Sequence, residues 1–187
     1  MVKRFFDLCL AVVVAPVALP LMAVCAVLIK FTSQGPVLFW SDRVGINNGI
    51  FRMPKFRTMK VDTPAVATHL LTDPASHVTV VGKVLRKTSL DEFPQLYSII
   101  KGDISWVGPR PALFNQDDLI SLRTEKGIHA LIPGLTGWAQ INGRDSLSIP
   151  EKVTAEEHYL RNRSLSFDVK ILFLTFFKVI FGHGVSH

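Results

Sequence analysis

Residues 5–29 of this 187-residue chain form an apolar run broken only by Asp7. A helix needs about 20 such residues to cross a bilayer, so length alone permits a span. Pro16 and Pro20 stand inside the run. Neither can donate a helical hydrogen bond, and together they predict a bend or break. Cations stand at both ends, Lys3-Arg4 before it and Lys30 after it. Cations favour the cytoplasmic side of a membrane, so both ends are expected on one side. The run therefore predicts a re-entrant helix that dips into one leaflet and returns. A kinked single span and an uncleaved signal sequence are the alternatives. A cleavable signal peptide is disfavoured, because the run is too long and no small-x-small site precedes a polar start.

The rest of the chain must be compatible with that segment. Apolar residues make up 48% of the sequence, yet its net charge is +6. A chain both basic and apolar suits an anionic lipid surface better than nucleic acid. It has no zinc-finger spacing and no RNA-binding aromatic signature, so no nucleic-acid partner is expected. The two cysteines, Cys9 and Cys25, both lie in the apolar run and make neither a disulfide framework nor a zinc site. The six histidines lack H-E-x-x-H spacing, and there is neither a Walker A loop nor a G-x-G-x-x-G fingerprint.

The stretch Arg86-Lys-Thr-Ser-Leu-Asp-Glu-Phe-Pro-Gln-Leu-Tyr97 holds two adjacent carboxylates, Asp91 and Glu92. Ser89-x-x-Glu92 matches a capping box, a mark of helix starts. Pro94 fits better with a cap one or two residues later. Either placement puts Asp91 in a first helical turn, where free N–H groups favour anions. Taken alone, the stretch reads first as a capped surface helix, since capping boxes are common.

Upstream, Val37–Asp42 and Ile50–Phe56 read as the strands of a β-hairpin, with Asn47-Asn48-Gly49 between them to supply positive φ. Pro54 marks the second strand as an edge. Lys55-Phe-Arg-Thr-Met59 closes the hairpin, by itself a solvated strand end. Residues 61–80 read as a loop with one short helix near Val66–Leu71, a functional segment or a disordered one. Val81–Arg86 should be helical. Phe93–Ile100 shows a helical apolar face that ends at Lys101-Gly102.

Downstream, Ile104–Val107 is a short extended run. In Gly108-Pro-Arg-Pro111 two prolines flank Arg110 and present its guanidinium with little freedom left to lose; a plain proline turn is the alternative. Gln116–Lys126 reads as a polar helix. Residues 132–144, rich in glycine and carrying Trp138, Gln140, Asn142 and Arg144, suit a loop whose backbone approaches a ligand, or a simple connection. Pro150–Arg161 is a helix with proline at its start. Ser166–Phe181 is the last helix, and its Phe173, Phe176, Phe177 and Phe181 suit either an interfacial helix or a core one. The expected fold is mainly α with a small β-hairpin (α+β). It comprises a re-entrant membrane helix over residues 1–31, a catalytic domain over residues 32–187, and interfacial amphipathic helices.

Five of these stretches, in order, resemble the bacterial sugar transferases, the monotopic polyprenyl-phosphate phosphoglycosyl transferases. They are Lys3-Arg4-Phe-Phe-Asp7, Lys55-Phe-Arg-Thr-Met59, Ser89-Leu-Asp-Glu-Phe-Pro-Gln95, Lys101-Gly-Asp-Ile-Ser-Trp-Val-Gly-Pro-Arg-Pro111 and Pro133-Gly-Leu-Thr-Gly-Trp-Ala-Gln-Ile-Asn-Gly-Arg144. Each is weak alone; the ordered set is specific and covers nearly the whole chain. The resemblance implies transfer of a sugar 1-phosphate from a UDP-sugar to undecaprenyl phosphate, with release of UMP. It implies Mg²⁺ and a covalent phosphosugar–enzyme intermediate. It also implies a place on the cytoplasmic face of a bacterial inner membrane, among anionic lipids. Carried onto this sequence, Asp91 becomes the nucleophile and metal ligand and Glu92 its partner. Arg86 and Arg110 are expected to contact phosphate, with Lys55, Arg57, Gln140 and Arg144 as further substrate contacts and Asp103 as a weaker candidate. The compact size favours an N-acetylated sugar such as di-N-acetylbacillosamine over glucose or galactose. A non-enzymatic membrane scaffold is the remaining alternative. Ala15-Pro16 stands where the family often has Ser-Pro, which puts the hinge angle in question, and Phe93 replaces a common leucine.

Overall fold

The computed structural model describes residues 1–63, 73–143 and 146–181. Its first element is the helix α1, Val2–Thr32, which continues unbroken through Pro16 and Pro20. Of the expected bend or break, the break is absent. The two prolines are four residues apart and therefore share a helix face, and both are exposed. The opposite side is held against the protein body. Asp7, Ala11, Ala18, Cys25 and Ile29 are buried, a stripe spaced at fours and sevens. Away from that stripe Val12, Val13, Val17, Val24, Val27 and Phe31 are bare. Only 17% of the most apolar 18-residue window is buried, which is unlike the core helix of a soluble domain.

Polar contacts fix α1 to the body at both ends. Lys3 pairs with Asp168 at 2.5 Å. Arg4 donates to the carbonyls of Ile99 and Ile100, both at 2.5 Å. Asp7 accepts from the Ser105 hydroxyl at 2.9 Å and the Trp106 amide at 3.3 Å. At the far end, Arg57 donates to the Ser33 carbonyl and hydroxyl. Between the ends, Ala11 and Ala18 pack with Leu96, while Cys25 and Ile29 pack with Phe56 and Leu85. The alanines let the helix approach closely.

The strands β1 (Leu38–Val44) and β2 (Ile50–Phe56) form the expected antiparallel hairpin, with Arg43 opposite Phe51 and Phe39 opposite Lys55. Its turn takes positive φ at Asn47 (52°) and Asn48 (60°); Gly49 stays at −66°. Next come α2 (Pro74–His77), α3 (Val80–Lys87), a 3-10 helix over Leu90–Gln95, and α4 (Leu96–Lys101). The short helix expected near Val66–Leu71 lies outside the described residues.

The remaining elements are β3 (Ser105–Val107), α5 (Asp117–Glu125), β4 (Gly134–Thr136), α6 (Trp138–Ile141), α7 (Ile149–Asn162) and α8 (Leu165–Phe181). They enclose a core that includes Val107, Leu119, Ile128, Ile141, Val153, Tyr159 and Ile171. β3 and β4 pair in parallel, Ser105 with Gly134 and Val107 with Thr136. A Cβ at Gly134 would lie 2.0 Å from the Gly108 amide nitrogen, so only glycine permits this approach. On α8, Ile171 faces inward while Phe173 and Phe176 are each 61% exposed. The helix thus has a core face and an outward aromatic face.

Candidate active site

The two central carboxylates sit where the backbone changes winding. Ser89 adopts a left-handed conformation (φ 57°) and its side chain caps nothing. The expected capping box does not form there, because Lys55 and Arg110 hold the Glu92 carboxylate instead. A true capping box occurs at Ser148 and Glu151, at the start of α7. Pro94 lies in the 3-10 segment, and α-helical winding begins at Leu96. Asp91 does fall in a first helical turn, but of six 3-10 residues. So short a helix leaves anion recognition to side chains rather than to a macrodipole.

Four elements deliver those side chains. Residues 39, 41 and 43 of β1 share a sheet face with their partners 55, 53 and 51 of β2. From that face Lys55 reaches Oε1 of Glu92 at 3.1 Å. Arg110 reaches the same oxygen at 2.6 Å. The Gly108–Pro111 loop that carries Arg110 is pinned from both sides. Gly108 donates to Thr136 at 2.9 Å and Gly134 to Pro109 at 2.8 Å, while Val44 of β1 donates to Ala112 at 3.0 Å. It is a fixed mount rather than a free proline turn. From α3, Arg86 is oriented by the Thr58 hydroxyl at 2.9 Å and acts electrostatically on Asp91.

The electrostatics separate the two acids. Burial pushes the Glu92 carboxyl up, but the charges and hydrogen bonds of Arg110 and Lys55 outweigh it. Glu92 is held well below the usual carboxylate range. Asp91 shifts the other way. Burial, then the neighbouring Glu92, raise it, and Lys55, Arg86 and Arg110 only partly oppose them. Among the described residues no hydrogen bond or ion pair occupies the Asp91 carboxylate. Glu92 is thus a locked anion and Asp91 a poised one.

The sequence also hid a member of the cluster. Arg43 donates to the Ser41 hydroxyl at 3.0 Å and the Pro111 carbonyl at 3.2 Å. Burial, then the charge of Arg110, lower it to about 10. A single arginine at the end of a strand has no motif spacing; the one available signal was a cation on the hairpin face that carries Lys55. Lys55, Arg86 and Arg110 thus act on Asp91, and Arg43, Lys55 and Arg110 on Glu92 or on one another.

Other expected contacts stand elsewhere. Arg57 is 6% exposed, and its guanidinium is spent on Pro36 and Ser33 at the end of α1. It is a structural anchor, not a solvated strand end. Asp103 pairs with Lys101 at 2.9 Å beside the end of α4. Gln140 lies on α6, its buried amide atoms without a hydrogen-bond partner among the described residues, Asp91 and Glu92 included. Arg144 lies outside the described residues.

Comparison with known proteins fits this geometry. A family profile described as bacterial sugar transferase matches residues 1–182. The chain belongs to the bacterial sugar transferase family. It is 38% identical over 98% of its length to a UDP-N-acetylgalactosamine-undecaprenyl-phosphate N-acetylgalactosaminephosphotransferase of Aeromonas hydrophila, of which it spans 44%. It is 39% identical to the sugar transferase EpsL of Bacillus subtilis, covering 98% of this chain and 90% of that one. It is also 39% identical to an undecaprenyl-phosphate glucose phosphotransferase of Komagataeibacter xylinus, covering 97% of this chain and 36% of that one. The chain thus spans less than half of two of these relatives and most of the third. In this family member, the Lys3-Arg4…Asp7 motif docks α1 onto α4 and β3, and so supports the elements that hold the two carboxylates.

Proposed function

We propose that this chain transfers a sugar 1-phosphate from a UDP-sugar to undecaprenyl phosphate, with Asp91 as the nucleophile. The observation that carries this reading is the Asp91 carboxylate, without a hydrogen bond or ion pair among the described residues, beside the cations Lys55, Arg86 and Arg110 that act on it. Such a cluster of cations suits the phosphate oxygens of a diphosphate. An Asp91 oxygen attacks the β-phosphorus of the donor. The bond from that phosphorus to the bridging oxygen breaks, and UMP leaves with the electron pair. The enzyme then holds an acyl phosphosugar. A phosphate oxygen of undecaprenyl phosphate attacks the same phosphorus, the acyl bond breaks, and the Asp91 carboxylate returns. Charge and atoms balance in both steps without an added oxidant or base.

Arg86 faces Asp91 and would steady the phosphoryl group under attack. Lys55 and Arg110 fix Glu92, which keeps the cluster from collapsing onto Asp91. A magnesium ion fits this donor set, since Mg²⁺ is commonly held by one or two carboxylates together with substrate phosphates and water. Asp91, uncommitted to protein donors, would hold it, and the ion would supply neutralisation of phosphate oxygens.

The two ends of α1 contact the same body, with Ala11 and Ala18 buried between them. That supports a helix seated in one leaflet at the cytoplasmic face of the inner membrane, the body at headgroup level and the Phe173–Phe176 face of α8 beside it. Labelling of a cysteine introduced at position 2 only from the periplasm would refute this placement. For the sugar, the Aeromonas relative supports an acetamido donor, such as di-N-acetylbacillosamine at one extreme. The Komagataeibacter relative, at similar identity, supports glucose as a second reading.

The test is UMP release by detergent-purified protein with undecaprenyl phosphate, Mg²⁺ and a panel of UDP-sugars, each with and without EDTA. Metal-dependent release with one sugar, and a phosphosugar adduct on Asp91 by intact mass, are expected. Release that persists in Asp91→Asn would sink the nucleophile assignment.

A further inference from the structure

The hairpin has a second face, turned away from the one that carries Lys55 and Arg43. Trp40 of β1, opposite Pro54 in the register, lies on that second face together with Arg52 of β2. The Trp40 ring meets the Tyr97 ring of α4 edge to face, with 6.2 Å between centroids and 88° between planes. The Arg52 guanidinium stands over the Trp40 ring at 5.4 Å. Asp42 is its partner across the strands, yet no ion pair joins the two among the described residues. On α4, Leu96 and Ile99 are buried. Tyr97 and Ile100, three residues apart and so on one side of the helix, are each more than half exposed. Trp40 is exposed beside them. No hydrogen bond engages Trp40 Nε1 or the Tyr97 hydroxyl among the described residues.

The place of this patch in the fold says what covers it. Arg4, in the first turn of α1, donates to the Ile99 and Ile100 carbonyls at 2.5 Å. The end of α4 therefore stands level with the start of the apolar helix, where Phe5 is also bare. Three part-exposed side chains offer far less than the ~800 Å² per partner that a stable dimer buries. Rings with an apolar body and a polar tip suit the boundary between hydrocarbon and water. The arginine stem can lie along the apolar surface while its head reaches a phosphate. We propose that Trp40, Tyr97 and Ile100 lie in the headgroup region of the bilayer, with Arg52 on a phospholipid phosphate. The inference rests on the membrane seat of α1 proposed above and extends it to α4 and the hairpin. One face of the hairpin is thus held at the interface while the other presents Lys55 to Glu92.

The test reconstitutes the full chain in phospholipid nanodiscs. It reads the quenching of tryptophan fluorescence by bromines placed high or low on the acyl chains, and melting temperatures report folding. Trp106 and Trp138 are half-buried, so the difference between wild type and Trp40→Phe isolates Trp40. High bromines should quench the wild type more than low ones, and Trp40→Phe should lose most of that quenching. Ile100→Trp, made alone, should add quenching by high bromines, and it decides the matter if Trp40→Phe does not fold. Val13→Trp, at an exposed position of α1, controls for the seat of the helix. If neither set of bromines quenches it, the membrane reading on which the inference stands has failed. If it is quenched while Trp40 and a tryptophan at position 100 are not, the inference alone is overturned. Quenching that disappears when unbrominated undecaprenyl phosphate is added would also overturn it, by giving the patch to the acceptor chain. So would shielding of Trp40 from aqueous acrylamide that grows with protein concentration in detergent, which would give the patch to a second copy.

Discussion

Two carboxylates in this protein each meet an arginine out of bulk water, and they end in opposite conditions. In the core, Arg123 of α5 grips Glu156 of α7 with both ends of its fork, Nε to Oε2 at 2.8 Å and Nη2 to Oε1 at 2.5 Å. The side chains are 9% and 3% exposed. Each oxygen has its donor and the charges cancel. At the site, Arg110 and Lys55 crowd a single oxygen of Glu92, Arg43 adds charge nearby, and Asp91 has no donor among the described residues. The same chemistry makes a closed clasp in one place and an open cluster in the other. A closed pair holds helices together, whereas a cluster that leaves one carboxylate without a donor among the described residues is shaped for something that arrives later.

The sharpest way to break this comparison is to remove the poised acid. Asp91→Asn should reduce UMP release by on the order of 10⁴-fold or more, as loss of a covalent nucleophile does. The melting temperature should not fall, because burial and Glu92 both disfavour the lost charge. Matched losses of stability and activity would mean that Asp91 belongs with the structural pairs.

Arg123→Ala should do the reverse. It leaves Glu156 buried without a partner, at a cost of about 3–5 kcal/mol. Denaturant unfolding would measure the loss, while turnover per folded molecule should stay near that of the wild type. A smaller effect is expected from Arg4→Met. It removes two charged hydrogen bonds to the end of α4, worth about 1–3 kcal/mol in a partly exposed place. Easier proteolytic separation of α1 from the body in detergent would show it. No change in either stability or proteolysis would deny the anchoring role of the Lys3-Arg4 motif.

Much of this architecture was legible where one residue type fixes one local geometry. The hairpin could be read from alternation around Asn47 and Asn48, α7 from Pro150, and the end of α4 from Gly102, which indeed takes a left-handed φ of 98°. The pairing of β3 with β4 was not legible, since three-residue strands leave no period and their union depends on glycines meeting across the fold. Arg57 misled for a related reason. A cation between apolar neighbours looks the same in sequence whether it faces a substrate or the carbonyls just past the end of α1. Arg43 was missed because its role arises from a neighbour, Arg110, that is 67 positions away. The apparent capping box at Ser89 failed because two distant cations compete for Glu92 more strongly than a local amide does.

The smallest predicted effect separates the two acids by pH. Asp91 must be ionised to attack, and its carboxyl lies above the ordinary 3.8. The acidic limb of kcat/KM should therefore have its midpoint above that value, with activity rising as pH rises through it. Glu92, held well below its ordinary range, stays ionised throughout and adds no limb of its own. Its contribution to stability is fully present above the ordinary 4.5 and is lost only as pH falls through its depressed value. Arg86 is one of the cations that lower Asp91, so Arg86→Gln should move the activity limb to still higher pH. Acid unfolding should change little, because Arg86 does not pair with Glu92. A limb that stays fixed in Arg86→Gln would show that another group, not Asp91, gives up the proton that controls attack.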